Sequence, residues 1–270
     1  MNAVTLLERR QRAWAVRHQR VLDDDGYVGR VEENLYLPLD QRTAEEFRRA
    51  DGDELGGEGR RGKMLAVHSS SALVVNAFMP LRGHARLAAD LLVPGSTAES
   101  FVFESQHPVI SRAANLDLEF AGPADLAVEA KFLEPYRKRP SFVFADRYSD
   151  PGRWDLLPRC GALATGGGLG YRHLDAAQLL KHLLGLARAR GHRDRVRLVY
   201  LWYEVTDEHG QPHPESAEHR REVSEFASRL DDGLLFHRLT YQELFARMKG
   251  RPGIDPAHYA YLEDRYIRQG

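Results

Sequence analysis

The sequence predicts an α/β sandwich: a mixed central β-sheet flanked by helices, preceded by an N-terminal helical extension. Three observations predict it. Residues 115–132 alternate apolar and polar side chains with a period of two on both sides of a turn-forming run, which is the pattern of a β-hairpin. Residues 175–190 carry an apolar stripe at helical spacing. Residues 196–205 are almost continuously apolar and rich in β-branched and aromatic types, as expected of a strand covered on both faces. Hairpin, helix, strand, helix, strand and helix in that order give a mixed sheet between helical layers.

Residues 4–21 read as an amphipathic helix with a basic face of Arg9, Arg10, Arg12, Arg17 and Arg20. Residues 50–63 form a Gly-rich charged loop, a linker or a lid. Apolar spacing suits helices over 69–81 and 84–93, and Pro94-Gly95-Ser96 breaks the chain before a strand at 101–104. After the hairpin, Asp175 and Gln178 resemble a capping pair for a helix whose stripe is Leu179, Leu180, Leu183, Leu184 and Ala187. A short strand at 234–236 and a helix at 241–248 close the core. The resulting organisation is an extension over 1–95 packed on the core, a core over 96–250 and a tail over 251–270.

The hairpin carries the chemistry. Leu116, Leu118 and Phe120 alternate with Asp117 and Glu119, and Leu126, Val128, Ala130 and Phe132 alternate with Glu129 and Lys131. Folding about Pro123 sets Asp117 opposite Glu129, Glu119 opposite Ala127 and Lys131 opposite Asn115. Like charges facing each other destabilise a sheet, and two close carboxylates cannot both ionise freely. Such a pair calls for a proton or a hard cation between them. Oxygen ligands of this kind suit Mg2+, which takes one or two carboxylates and keeps sites for water and phosphate oxygens. Lys131 shares that face, where it can orient or deprotonate water or neutralise charge developing on phosphorus. The same pattern also reads as a solvated strand face with a cross-strand ion pair.

Composition narrows the alternatives. With 43% hydrophobic and 29% charged residues the chain has the make-up of a soluble globular protein. Its single cysteine, Cys160, excludes an internal disulfide and a Cys-rich zinc site. Neither a signal-peptide pattern nor an apolar run near the ~18 residues of a membrane span is present, so a cytoplasmic location is expected. A net charge of −1 gives no global attraction to nucleic acid, so phosphate contacts would need a local stripe. Arg137-Lys138-Arg139 and the group Arg188, Arg190, Arg193, Arg195 and Arg197 are candidates, each equally readable as solvated surface. The glycine run at 164–170 lacks the strand and helix of a dinucleotide fingerprint and the Gly-Lys-Ser/Thr of a Walker loop, leaving a flexible connection as the better reading. The twelve histidines include no His-Glu-X-X-His pair, and no Gly-X-Ser-X-Gly elbow surrounds His68-Ser69-Ser70-Ser71. A pair of glycosidase carboxylates fits less well than a metal site, because a lysine stands beside them.

Asp117 followed by Glu129-Ala130-Lys131 resembles the Asp…(Asp/Glu)-X-Lys signature of the PD-(D/E)XK, or restriction-endonuclease-like, nuclease superfamily. The segments at 63–73 and 171–179 look like a bacterial branch of it, and the resemblance covers most of residues 30–250. It implies a restriction-endonuclease-like core that hydrolyses phosphodiester bonds of DNA with Mg2+, or Mn2+, in a defence or restriction role, and many such enzymes pair as homodimers. It implies that Asp117, Glu129 and the carbonyl of Ala130 are metal ligands, that Lys131 is the catalytic lysine, and that Glu104 is the glutamate found upstream of the hairpin in many members. Leu116 stands where the motif has proline. Helices at the place of 175–190 often present a glutamine, here Gln178, followed four residues on by a tyrosine, here His182. The other class that the resemblance leaves open is a catalytically silent protein of this fold acting as a nucleic-acid-binding or interaction module.

Overall fold

The computed structural model describes residues 1–50, 53–57, 59–109, 113–123, 125–137, 148, 150–166, 170–191, 197–230 and 236–268. Helices α1 (Ala3–Arg17), α2 (Gln41–Arg49), α3 (Ser70–Phe78) and α4 (Ala85–Leu92) precede strands β1 (Ser100–Pro108), β2 (Ala113–Ala121) and β3 (Leu126–Lys131). Then follow α5 (Pro158–Thr165), α6 (Ala176–Arg190), β4 (Arg197–Trp202), α7 (Pro214–Arg229), β5 (Phe236–Thr240), α8 (Tyr241–Met248), α9 (Pro256–Leu262) and a π-turn at Glu263–Ile267. The strands form one sheet in the order β1-β2-β3-β4-β5, antiparallel from β1 to β3 and parallel from β3 to β5. This is the mixed sheet between helices that the sequence predicts.

The hairpin register follows the expected symmetry, with Leu118 opposite Val128, Glu119 opposite Ala127 and Phe120 opposite Leu126. Pairing stops at Leu118–Val128, so Asp117 and Glu129 lie one step beyond the last paired rung. One expectation fails here. Leu118 and Phe120 pack with Val128 and Ala130 in the core beneath the N-terminal helices, whereas Leu116 packs with Ala127, Leu180 and Leu198 on the opposite face. The strand turns over at Asp117 and ends the period-two alternation there. Burying Leu116 completely is worth about 2 kcal/mol, which holds the turned segment in place.

The sheet separates two apolar layers. One is built from α1, α3, α4, α8 and the inner faces of β1, β2 and β3, and the other from α5, α6, α7 and the opposite sides of β3 and β4. In β4 the faces alternate: Leu198, Tyr200 and Trp202 join one layer, and Val199 and Leu201 the other. Strand β5 begins at Phe236, and the remaining residues of the short strand expected at 234–236 lie outside the described residues. Helix α5 occupies part of the stretch read as a flexible connection. It packs so closely that a Cβ on Gly161 would lie 2.5 Å from Trp154 Cβ.

The N-terminal extension and the C-terminal residues are tied to each other across the core. Arg265 is buried and donates to the carbonyls of Asn34 (2.7 Å) and Val67 (3.1 Å) and to Gln11 Oε1 (3.2 Å). Residues 251–270, read from sequence as a tail, thus contain α9 and the π-turn, with Leu262 and Tyr266 in the core. The expected basic stripes are engaged locally. Arg190 pairs with Glu119, Arg188 donates to the Val109 carbonyl (3.2 Å) and Arg10 to that of Thr206 (2.8 Å). Lys138, Arg139, Arg193 and Arg195 lie outside the described residues.

Candidate active site

Three strands bring the acidic residues to one level of the sheet. β3 supplies Glu129 and Lys131, β2 supplies Asp117, and β1 supplies Glu104. Beyond the end of the β2–β3 ladder the Ala130 N–H donates to Asp117 Oδ2 at 2.7 Å, so a side chain completes what the backbone has left open. Lys131 gives its carbonyl to Tyr203 N on the far side, at 2.9 Å. Strand alternation therefore turns both the N–H and the carbonyl of Ala130 toward β2.

Glu104 sits where β1 would pair with Asp117. Phe103 pairs with Leu118 and Ser105 with Leu116, but the rung between them is missing, and Glu104 has φ of +53°. A side chain in the left-handed region costs roughly 1–2 kcal/mol, so packing on both sides must hold it there.

Charge is distributed unevenly over this cluster. Burial pushes the Asp117 carboxyl well above its ordinary value, and the neighbouring charge of Glu129 adds to the shift. Glu104 rises to about 8 through burial, with Glu54 and Glu129 adding to it. Burial acts on Glu129 in the same sense, but Lys131 and His182 outweigh it and hold the carboxyl at about 2. Burial opposes the charge on Lys131, yet Glu129, Glu134 and Asp117 raise its pKa, so the lysine is a firm cation. Two of these carboxyls are poor anions beside a carboxylate that is already paired.

Glu129 is held from two sides. Lys131 donates to its Oε1, and His182 Nε2 stands 3.0 Å from its Oε2, with the side chains of both His182 and Glu129 no more than 3% exposed. Helix α6 carries His182. Asp175 caps the helix by accepting from Gln178 N at 2.9 Å, and Leu179, Leu180, Leu183 and Leu184 bury its apolar stripe. Gly185 allows a close approach to the sheet: a Cβ there would meet His107 Cβ at 3.2 Å and Val109 Cγ2 at 3.3 Å. Gln178 is half-buried, and among the described residues no hydrogen bond joins its side chain to Asp117, Glu129 or Lys131.

Glu119, two residues from Asp117, belongs to a different arrangement. It accepts from Ser105 and Arg190, and His107 Nε2 lies 2.9 Å from its Oε2. Burial alone would raise its pKa, but these donors bring it below the ordinary value.

The loop read from sequence as a linker or lid borders the cluster. Glu54 accepts from Ser71 Oγ at 2.7 Å and from Lys63 at 3.3 Å. A cavity of about 230 Å3 beside it is lined by Tyr27, Glu54, Lys63, His68, Ser70, Glu134 and Arg137. Sequence reasoning missed these contacts, because nothing local marks residues 54–71 as neighbours of β1.

Among the described residues no three His, Cys, Asp or Glu side chains form a group arranged to hold a metal ion, and no helix is long and apolar enough to cross a membrane. No curated protein and no solved structure matches the chain. A family model described as "Restriction Endonuclease associating with ARP" matches residues 8–267, nearly the whole length. The chain belongs to this family of restriction-endonuclease-like proteins, and its mixed sheet agrees with that fold.

Proposed function

We propose that this protein is a metal-dependent nuclease that hydrolyses phosphodiester bonds in DNA. The observation that carries the reading is the gathering of two half-buried carboxyls, Asp117 and Glu104, at one level of the sheet beside Glu129 and its partner Lys131, where their surroundings disfavour both as anions. Carboxyls raised in this way accept either a proton or a hard cation, and oxygen donors suit Mg2+ or Mn2+. Asp117, Glu129 and the carbonyl of Ala130 are the residues that would hold the ion, with Glu104 adjoining them. Bound there, the ion would polarise the phosphate and favour hydroxide over water.

The chain's own residues have separate parts. Lys131, favoured as a cation by Glu129, Glu134 and Asp117, is suited to stabilise developing negative charge. Glu129 keeps that lysine on the face shared with Asp117. The Ala130 N–H fixes the direction of Asp117. Gln178, at the start of α6, is assigned to substrate or water positioning. Because phosphate contacts need only a local stripe, a net charge of −1 is compatible with DNA as the partner.

A second reading is a catalytically silent module that binds nucleic acid or another protein. It is favoured by the closed Lys131–Glu129 pair and by the lack of a converged metal group among the described residues. Plasmid and linear DNA incubated with the protein, with and without Mg2+ or Mn2+, separate the two. The nuclease predicts cleavage only with metal, reduced about 10²–10³-fold or more by Asp117→Asn, Glu129→Gln or Lys131→Ala. Cleavage that survives all three changes removes the site assignment, and DNA binding without cleavage supports the module.

A further inference from the structure

We propose that His182 is a positioning residue of this site, committing one oxygen of Glu129 to helix α6 so that the other is left for Lys131 and an incoming cation. The inference rests on the nuclease reading above and adds to it a residue outside the Asp…Glu-X-Lys motif.

The geometry divides the Glu129 carboxylate. Lys131 takes Oε1, and His182 Nε2 is 3.0 Å from Oε2. With its side chain only 2% exposed, Glu129 is shielded from bulk solvent, so each oxygen needs a polar partner. A lysine ammonium has three donors and can span both oxygens of a free carboxylate. The imidazole prevents this by occupying the second oxygen.

His182 is itself held firmly. Its neighbours Leu179, Leu180, Leu183 and Leu184 are buried in the helical layer, and Gly185 brings the same helix against β1 and β2. Rotation of α6 that would carry the ring away from Glu129 would also expose this leucine stripe. Both ring nitrogens are buried, and among the described residues neither makes an aligned hydrogen bond, so Nε2 meets Glu129 as a close polar contact at 3.0 Å from Oε2. A histidine kept only for packing would be replaceable by leucine on this stripe. Among the described residues, its polar contact is to the carboxylate that the motif places at the centre of the site.

The test is a Mn2+ titration of the full chain without DNA, read by calorimetry, with circular dichroism to verify folding. Wild-type protein binds Mn2+ and Asp117→Asn does not. His182→Leu weakens binding about 10–100-fold, the usual effect of removing a group that orients a ligand. His182→Gln, whose amide nitrogen reaches the place of Nε2, restores affinity to within a few-fold, and His182→Asn, which is shorter, does not. With metal and DNA, kcat falls in His182→Leu while KM for DNA is unchanged. Folded His182→Leu and His182→Asn proteins that bind Mn2+ as the wild type does overturn the role of His182 alone. If His182→Leu does not fold, the Gln and Asn variants decide between the same outcomes. Wild-type protein that binds no Mn2+ overturns the nuclease reading and this inference together.

Discussion

Two carboxylates two residues apart on β2 are treated in opposite ways. Glu119 is surrounded by donors from Ser105, His107 and Arg190, and its pKa falls below the ordinary value. Asp117 has the Ala130 N–H and the negative charge of Glu129 beside it, and its pKa rises well above the ordinary value. The difference separates an acidic group that the fold has neutralised from one that it leaves to be neutralised. A strand face rich in Asp and Glu is thus not one site. Its members are distinguished by what the neighbouring strands and α6 bring to them.

The largest expected contrast is in activity. Asp117→Asn removes metal-dependent cleavage by about 10²–10³-fold, whereas Glu119→Gln leaves the rate within a few-fold, measured on supercoiled plasmid. Equal losses at the two positions would erase the distinction. The next is in stability. Glu119→Ala leaves Arg190 and His107 without their shared acceptor and should cost about 3 kcal/mol in chemical denaturation, the low end for breaking a buried pair. Asp117→Asn should instead stabilise the metal-free protein at pH 8.

The pH dependence separates them by sign. Glu104, raised from 4.5 to about 8, favours folding fully below 4.5 and loses that contribution as pH rises toward 8, and Asp117 acts in the same direction. Glu119, lowered in the folded state, contributes above 4.5 and loses its contribution as pH falls. Thermal melts in a chelating buffer should therefore decline between about pH 5 and pH 8. Glu104→Gln should flatten that decline while leaving the acid limb in place, and an unchanged slope would refute the burial of charge at Glu104. The smallest effect is conformational. Glu104→Gly should be about 1 kcal/mol more stable than Glu104→Ala, since both lose the carboxyl and only glycine tolerates the left-handed backbone.

Much of this was legible in the sequence where neighbours in space are also neighbours in the chain. The turn at Gly122-Pro123 and the alternation on either side were enough to set the Leu118–Val128 register. The leucine stripe and Asp175 were enough to start and orient α6. Leu116 broke the pattern because β2 turns over at Asp117, a twist that a strict period of two cannot express. Glu104 was recognisable as an acid, but its positive φ was not, since glutamate has no special preference for that region. His182 was marked by its place four residues after Gln178, but its partner was not. A histidine in a leucine stripe has no partner in its own helix, and Glu129 is supplied by a strand more than fifty residues earlier. Long separation also concealed the binding of Arg265 to Asn34, which ties the C-terminal residues to the N-terminal extension.

At the level of Asp117, β2 is paired with neither neighbour: the rung to Glu104 is absent and the ladder to β3 has already ended. The sheet therefore has a seam across its interior, bounded by paired residues at Phe103–Leu118 and Ser105–Leu116. Amides along that seam can exchange with solvent through small local openings while those at Leu118 to Phe120 stay protected. A ligand that bridges the carboxyls of neighbouring strands would stitch the seam closed, and slower exchange at this one level would report its arrival.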